Sequence, residues 1–304
     1  MLKSFDDLIA KLDNIPLKKV SVAVAQDEHV LEAVKVAKER NIADAILVGD
    51  EAEIRKIAAT IDMDLSTYEI IDVKDMTEAA RTAVSLVHDG KADMYMKGVI
   101  DTKGFLKSVL DKEVGLRTGK PLSHVCVFDI EGIKQLLFLT DVAFMTYPTL
   151  EDKVAIINNT VDICHAVGLD NPKVAAVAAV EVVNPKMPCT VEAAELSAMN
   201  DRGEITGCIV DGPLSMDLAI EPEAAKHKAG ATERKIVGDA DVILFPDIHA
   251  GNLVYKSIVH MAKEKNGNLI TGTKAPVILT SRSDSTEVKV NSLALGAVVA
   301  EYLK

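Results

Sequence analysis

Apolar residues along this chain gather into short β-branched runs, and amphipathic stretches separate them with little interruption from Lys18 onward. Val20-Ser21-Val22-Ala23-Val24 has the length and branching of a strand, and Val30, Ala33, Val34 and Ala37 behind it share one face of a helix. Ala45-Ile46-Leu47-Val48-Gly49 predicts a second strand, followed by a helix through Ile54 and Ile57. Tyr68-Glu69-Ile70-Ile71 predicts a third, backed by a helix over 79–87, and Ala92-Asp93-Met94-Tyr95-Met96 a fourth, broken at Lys97-Gly98. Ahead of them, Phe5, Leu8, Ile9 and Leu12 have the spacing of an amphipathic first helix. Strands that alternate with helices in this way imply an α/β fold, a mostly parallel sheet covered on both faces.

The rhythm changes between Ser123 and Asp141, where apolar runs over 125–130 and 135–140 meet across Glu131-Gly132 and predict an antiparallel hairpin. Alternation then resumes, with helices over 150–167, 191–199 and 252–263 and strands over 174–180, 208–210 and 242–245. The last strand is Val277-Ile278-Leu279, opened by Pro276, and a helical pattern carries the chain to its end. This organisation places a first α/β lobe in 1–120 plus 273–304 and a second in 121–272, because the last strand must rejoin the first sheet.

Composition narrows the partners. A chain of 304 residues accommodates two such lobes, and a net charge of -12, from 46 acidic against 34 basic residues, argues against nucleic acid or an anionic membrane surface. Aromatics make up 4% with no Trp, which leaves base stacking poorly supplied. Asp6 and Asp7 interrupt the N-terminal stretch, so no signal-peptide core is read there, and no apolar run reaches spanning length. Cys126, Cys164, Cys189 and Cys208 are scattered without CxxC or a His at ligand spacing, as core thiols of a reducing compartment would be. A soluble cytoplasmic protein is expected, with no metal.

Ligands in open α/β sheets bind beyond the carboxyl ends of strands. Those ends carry Gln26-Asp27, Lys97-Gly98, Asp141, Glu181, Asp211-Gly212-Pro213, Pro246-Asp247 and Ser281-Arg282. The richest is Thr280-Ser281-Arg282-Ser283-Asp284-Ser285, a hydroxyl-rich loop with one guanidinium between a buried strand and a helix. Helix-start amides, hydroxyls and a guanidinium together suit a phosphate. Part of that loop also reads as an ordinary N-cap, at Ser283, Asp284 or Ser285. Asp211-Gly212-Pro213 reads as a turn and Gly251-Asn252 as a helix start. The seven histidines are isolated, His124 and His249 lying nearest the expected cleft. No GxGxxG follows a strand, Gly115 to Pro121 departs from a P-loop, and neither GxSxG nor HExxH occurs.

Several segments taken together resemble the phosphate acyltransferase family of phosphate acetyltransferases and phosphate butyryltransferases. They are KADMYMKGVIDTKGFLKSVL, KEVGLRTGKPLSHVCVFD, LLFLTDVAFMTYPTLEDK, AVEVVNPKMPCT, GCIVDGPLSMDLAI, ADVILFPDIHAGNLVYK and APVILTSRSDSTE, in family order across nearly the whole chain. KEVGLRTGK and TSRSDS look more like the butyryl branch. The resemblance implies two α/β/α lobes of the isocitrate/isopropylmalate dehydrogenase type, an active-site cleft between them and a homodimer or higher homo-oligomer. It implies reversible transfer of a short acyl group from acyl-CoA to inorganic phosphate by direct attack in a ternary complex, with no cofactor beyond the coenzyme A thioester that is itself a substrate.

By the same carry-over Ser281 steadies the developing charge and Arg282 holds phosphate. Lys107 stands where relatives commonly have Arg, which keeps the charge and loses the bidentate fork. Acetyl relatives have an Asp base where this chain has Val288. Asp284 and Glu287 are the nearest replacements, taken to share a helix face, with Asp247 next. Lys97, Gly98, Thr102, Lys107, Asp211, Asp247, Asn252 and Ser285 are the remaining substrate-binding candidates. The alternatives are a phosphate acetyltransferase and an NAD-dependent dehydrogenase-like protein of the same architecture; the second lacks its nicotinamide fingerprint here.

Overall fold

A computed structural model of the chain describes residues 3–228, 233–281 and 284–304, and in it the expected alternation is realised strand by strand. α1 (Phe5–Lys11) leads into β1 (Lys18–Ala23), α2 (Glu28–Glu39), β2 (Ala43–Gly49), α3 (Glu51–Thr60), β3 (Glu69–Asp72), α4 (Met76–His88), β4 (Met94–Lys97) and α5 (Thr102–Val109). The middle of the chain forms β5 (Ser123–Ile130), β6 (Leu137–Thr140), α6 (Leu150–Ala166), β7 (Lys173–Val177), α7 (Pro188–Asp201), β8 (Ile209–Leu214), α8 (Met216–Ile220), α9 (Pro222–His227), β9 (Val242–Leu244) and α10 (Ile248–Met261). It closes with β10 (Glu264–Thr271), β11 (Val277–Ile278) and α11 (Thr286–Tyr302). Two units result, one of Phe5–Lys120 with Lys265–Lys304, the other built on Pro121–Glu264.

In the first unit the strand order is β3-β2-β1-β4-β11-β10, parallel from β3 through β11 and antiparallel at β10. The chain steps outward from β1 to β3 and then resumes on the other side of β1 with β4, so the order reverses between β1 and β4. Aspartates 27, 50, 75 and 101 cap α2, α3, α4 and α5, each accepting from first-turn backbone N–H groups. Such caps contribute about 1 kcal/mol each and explain why each helix starts where it does. α11 is buried on every side from Lys289 to Ala300, which accounts for a pattern that, Lys289, Asn291 and Ser292 apart, is apolar all round rather than amphipathic.

β10 escaped the sequence reading because its sequence, EKNGNLIT, buries asparagines. Asn266 and Asn268 are buried against α11, where the Asn268 N–H donates to Ser292 Oγ at 2.9 Å and Asn291 Nδ2 donates to the Asn266 carbonyl at 3.2 Å. The chain therefore rejoins the first unit at Lys265, ahead of the expected 273.

In the second unit the order is β5-β6-β9-β7-β8. β5 and β6 form the expected antiparallel hairpin, with Val125 opposite Thr140, and β6, β9, β7 and β8 are parallel. Asp211-Gly212-Pro213, read as a turn, lies inside β8 instead. β8 is an edge strand of this unit's sheet, where a proline is tolerated. Gly212 is required by crowding, since a Cβ there would come within 2.8 Å of the Ala176 Cβ. Phe128, Leu139, Leu214, Ile236, Ile243 and Phe245 are among the core residues packed between sheet and helices. Among the described residues no helix is long and apolar enough to cross a membrane.

Candidate active site

Parallel pairing brings the carboxyl ends of β1, β4 and β11 side by side: Ala23 is level with Lys97, and Met96 with Ile278. α2 and α5 begin five residues beyond those ends and α11 eight, so three helix N-termini follow from one edge of the sheet. Unpaired first-turn amides and the helix dipole favour an anion there. This edge includes the point at which strand order reverses, the usual ligand position in open α/β sheets.

The backbone is tightest at the reversal itself. The Gly98 N–H donates to the Ala23 carbonyl at 2.8 Å and the Val99 N–H to the Val24 carbonyl at 2.9 Å. A Cβ on Gly98 would lie 2.1 Å from the Val24 oxygen, so only glycine fits. Val24 itself has φ 57°, a left-handed conformation that a β-branched residue adopts only under strain. Lys97 is buried and its Nζ donates to the Gly98 carbonyl at 3.3 Å. The Gly104 N–H, helped by further backbone N–H groups and by Lys97, holds the Asp101 carboxyl below its ordinary range.

The turn between β11 and α11 is tied across its base. The Ser281 N–H donates to Asp284 Oδ2 at 2.7 Å, and the Asp284 N–H donates back to the Ser281 carbonyl at 3.2 Å. Ser285 is the N-cap, its Oγ accepting from the Val288 N–H. α11 starts at Thr286, so Asp284 stands in the turn before the helix and does not share a helical face with Glu287. Glu287 is exposed, 3.5 Å from the Arg40 guanidinium. Thr286 Oγ1 donates to Glu32 Oε2 at 3.1 Å. Arg282 and Ser283 lie outside the described residues. Thr102 and Lys107 are exposed at the first and last turns of α5.

Sequence reasoning passed over Lys289, one turn into α11 and 2% exposed. Its Nζ donates to the Asp284 carbonyl at 2.5 Å and lies 3.4 Å from the Ser281 carbonyl. Burial pushes this lysine below its ordinary value, against the opposing pull of the Asp284 and Asp27 carboxylates. A lysine inside an otherwise apolar helix was the available signal.

In the second unit the candidate carboxylates are engaged by backbone. Asp141, buried, accepts from the N–H groups of His124, Ala143, Phe144 and Met145 at 2.8–3.3 Å. Asp211 is buried against the Arg234 guanidinium at 2.9 Å and accepts from the Lys235 and Ile236 N–H groups. Asp247 caps α10 through the His249 and Ala250 N–H groups. The helix thus starts at Ile248, earlier than the expected 252, and Gly251 lies within its first turns because a Cβ there would come within 2.4 Å of the Asp141 carbonyl. Asn252 Nδ2 donates to the Val142 carbonyl at 3.0 Å. In FPDIHAGN, therefore, Asp, Gly and Asn lock α10 onto the loop after β6. His249 Nε2 is 2.9 Å from the Tyr147 hydroxyl.

A second polar cluster was not anticipated: Lys228 Nζ donates to Glu181, Ser215 and Asp217, and the hydrogen bond from Lys228, then that from Ser215, lowers the Asp217 carboxyl to about 2. Burial pushes the Cys164 thiol far up and that of Cys208 to about 11, which leaves both unreactive at neutral pH. Among the described residues no group of three or more His, Cys, Asp or Glu side chains is placed to hold a metal ion.

Known proteins align with the chain from end to end. The sequence profile of the family described as phosphate acetyl/butaryl transferase matches residues 4–82 and 73–297. The chain is 58% identical over 300 residues to the phosphate butyryltransferase of Clostridium beijerinckii, covering 99% of both. It is 46% identical over 283 residues to the phosphate acetyltransferase of Thermotoga maritima, covering 93% of this chain and 95% of that one. The crystal structure of a branched-chain phosphotransacylase from Enterococcus faecalis V583 superposes with a TM-score of 0.83 at 34% identity, over 93% of this chain and 99% of its own.

Proposed function

The chain belongs to the phosphate acetyl/butyryl transferase family, and from that premise we propose that it moves a short acyl group, butyryl in preference to acetyl, between coenzyme A and inorganic phosphate. The geometry that supports this reading is the head of α11 beside the ends of β1 and β4, where Ser281 is tied to Asp284 and Ser285 caps the helix, and a helix head of this kind favours an anion. The higher identity to a butyryl than to an acetyl relative supports the choice of acyl group.

A phosphate oxygen attacks the thioester carbonyl in a ternary complex, the carbon–sulfur bond breaks, and the departing thiolate takes up a proton as coenzyme A. Holding both partners in line supplies several kcal/mol of the barrier. Ser281 donates to the tetrahedral oxyanion and Arg282 grips the phosphate, roles taken from the family motif. In the reverse direction the thiol surrenders its proton to a base, for which Asp284 stands first. The step needs neither a redox cofactor nor an enzyme nucleophile. The same reading makes the enzyme a cytoplasmic homodimer of butanoate fermentation, and the cysteines, all free thiols, are compatible with a reducing compartment.

Mixing the protein with butyryl-CoA and phosphate, and following thiol release across acyl chain lengths, tests the reading. Butyryl-CoA should give the highest kcat/KM. Each added buried methylene is worth about 0.8 kcal/mol, so the margin over acetyl-CoA should be about tens-fold. An acetyl optimum would move the chain to the acetyl branch, and no thiol release would end the assignment.

A further inference from the structure

Lys289 is a cation with nowhere to be solvated. It lies at the head of a helical stretch buried through Ala300, and an ammonium there is tolerated only if its donors are used. They are directed at the carbonyls of Asp284 and Ser281, the residues at either end of the turn between β11 and α11. A trans peptide points its carbonyl and the next residue's N–H in opposite directions. Drawing the Asp284 carbonyl toward Lys289 therefore directs the Ser285 N–H away from it, to the outer side of the turn. The Asp284 carboxylate meanwhile accepts from the Ser281 N–H, and Ser285 Oγ accepts from the Val288 N–H. Ser281 and Asp284 are thus held from within by one buried lysine, whose burial cost the carboxylates of Asp284 and of Asp27 at the head of α2 offset only in part.

We propose that Lys289 is the positioning residue of the phosphate site: it draws the Ser281 and Asp284 carbonyls inward, sets the amide edge of the α11 head toward the anion, and does not touch the anion itself. This rests on the reading that phosphate docks at that turn. No proton is exchanged and no bond is made; the lysine acts through backbone orientation and through a fixed charge behind it.

The experiment compares the full-length wild type with Lys289→Met and Lys289→Arg, by calorimetric titration with inorganic phosphate and by steady-state kinetics. Met fills the slot without a donor, and Arg retains charge and donors. Losing a charge-assisted pair of hydrogen bonds should weaken phosphate binding by about tenfold or more in the Met variant. The KM for phosphate should rise in step, the KM for butyryl-CoA should stay within about twofold, and Arg should recover a large part of the loss. A Met variant with wild-type phosphate affinity overturns the proposal. So does an equal rise in both KM values, an Arg variant no better than Met, or a wild type that binds no phosphate. If Met does not fold, the Arg variant decides alone, phosphate affinity within about threefold of wild type supporting the proposal and a larger loss overturning it. A wild type that binds phosphate in a Lys289-dependent way yet transfers no acyl group leaves the proposal standing and removes the transferase reading.

Discussion

Gly98 rests on the backbone of Val24 so closely that a single added methyl would stand 2.1 Å from the Val24 carbonyl oxygen. Neither partner can yield: Val24 is already strained at φ 57°, and its carbonyl accepts the Val99 N–H at 2.9 Å. Gly98→Ala is therefore expected to destabilise the protein by about 2–4 kcal/mol, since the obstacle is backbone rather than a flexible side chain. Urea unfolding followed by circular dichroism measures this. A loss below about 0.5 kcal/mol would show that the contact relaxes freely, contrary to the crowding seen here.

The α10 lock gives a second expectation. Asp247→Ala removes one N-cap and should cost about 1 kcal/mol of stability. Asp141→Ala strips an acceptor from four backbone N–H groups and should cost about 2–3 kcal/mol or more. Equal effects in chemical denaturation would mean that the Asp141 amides find other partners.

These two sites show how much was legible in the chain. Elements with regular spacing, such as β1, α2 and the β5–β6 hairpin, follow from pattern because each buries one continuous apolar set. β10 does not, because Asn266 and Asn268 are reconciled with burial by α11, more than twenty residues away in sequence. Gly212 announced a turn by composition and Gly251 a helix start, whereas close packing against Ala176 and Asp141 is what selects them. The loop from Ser281 was recognisable from its residue types at a strand end. Its inner support, Lys289, was signalled only by its place in a largely apolar helix, and the backbone carbonyls it binds could not be read from the chain.

The Lys228 cluster makes stability depend on acid pH in a defined window. Asp217 is lowered from 3.8 to about 2, chiefly by its hydrogen bond from Lys228. A depressed carboxyl contributes stability that is complete above its unfolded value and lost as pH falls through its folded value. Asp217 is more than half exposed, so the contribution is screened to less than about 1 kcal/mol. Asp217→Asn should therefore lower the melting temperature slightly at pH values above about 4, and that difference should vanish near pH 2. A difference that grows toward acid would reverse the assignment.

Arg282→Gln should cripple turnover with the circular dichroism spectrum unchanged. Removing a charge-assisted phosphate contact costs about 1.5–3 kcal/mol or more, at least about tenfold in kcat/KM. The role comes from the family motif, and wild-type turnover at both saturating and limiting phosphate would dismiss it.

The proton acceptor is the sharpest open choice, because Val288 cannot serve where acetyl relatives carry Asp. Three carboxylates compete, and their surroundings differ. Asp247 is committed to the head of α10 through two N–H groups, and Glu287 sits on the surface beside Arg40. Asp284 alone belongs to the turn itself, bound through Oδ2 to the Ser281 N–H. A carboxylate base accepts a proton only when ionised, so in the acyl-phosphate-consuming direction the rate must fall toward acid as that group protonates. Asp284→Asn should abolish this acidic limb and most of the rate with coenzyme A and butyryl phosphate as substrates. Glu287→Gln and Asp247→Asn should keep the limb, whatever they do to stability. Should Asp284→Asn keep it while one of the other two loses it, the base moves to that residue. Should all three keep it, the acyl phosphate's own oxygens become the acceptor, and the turn's task reduces to holding that phosphate in line.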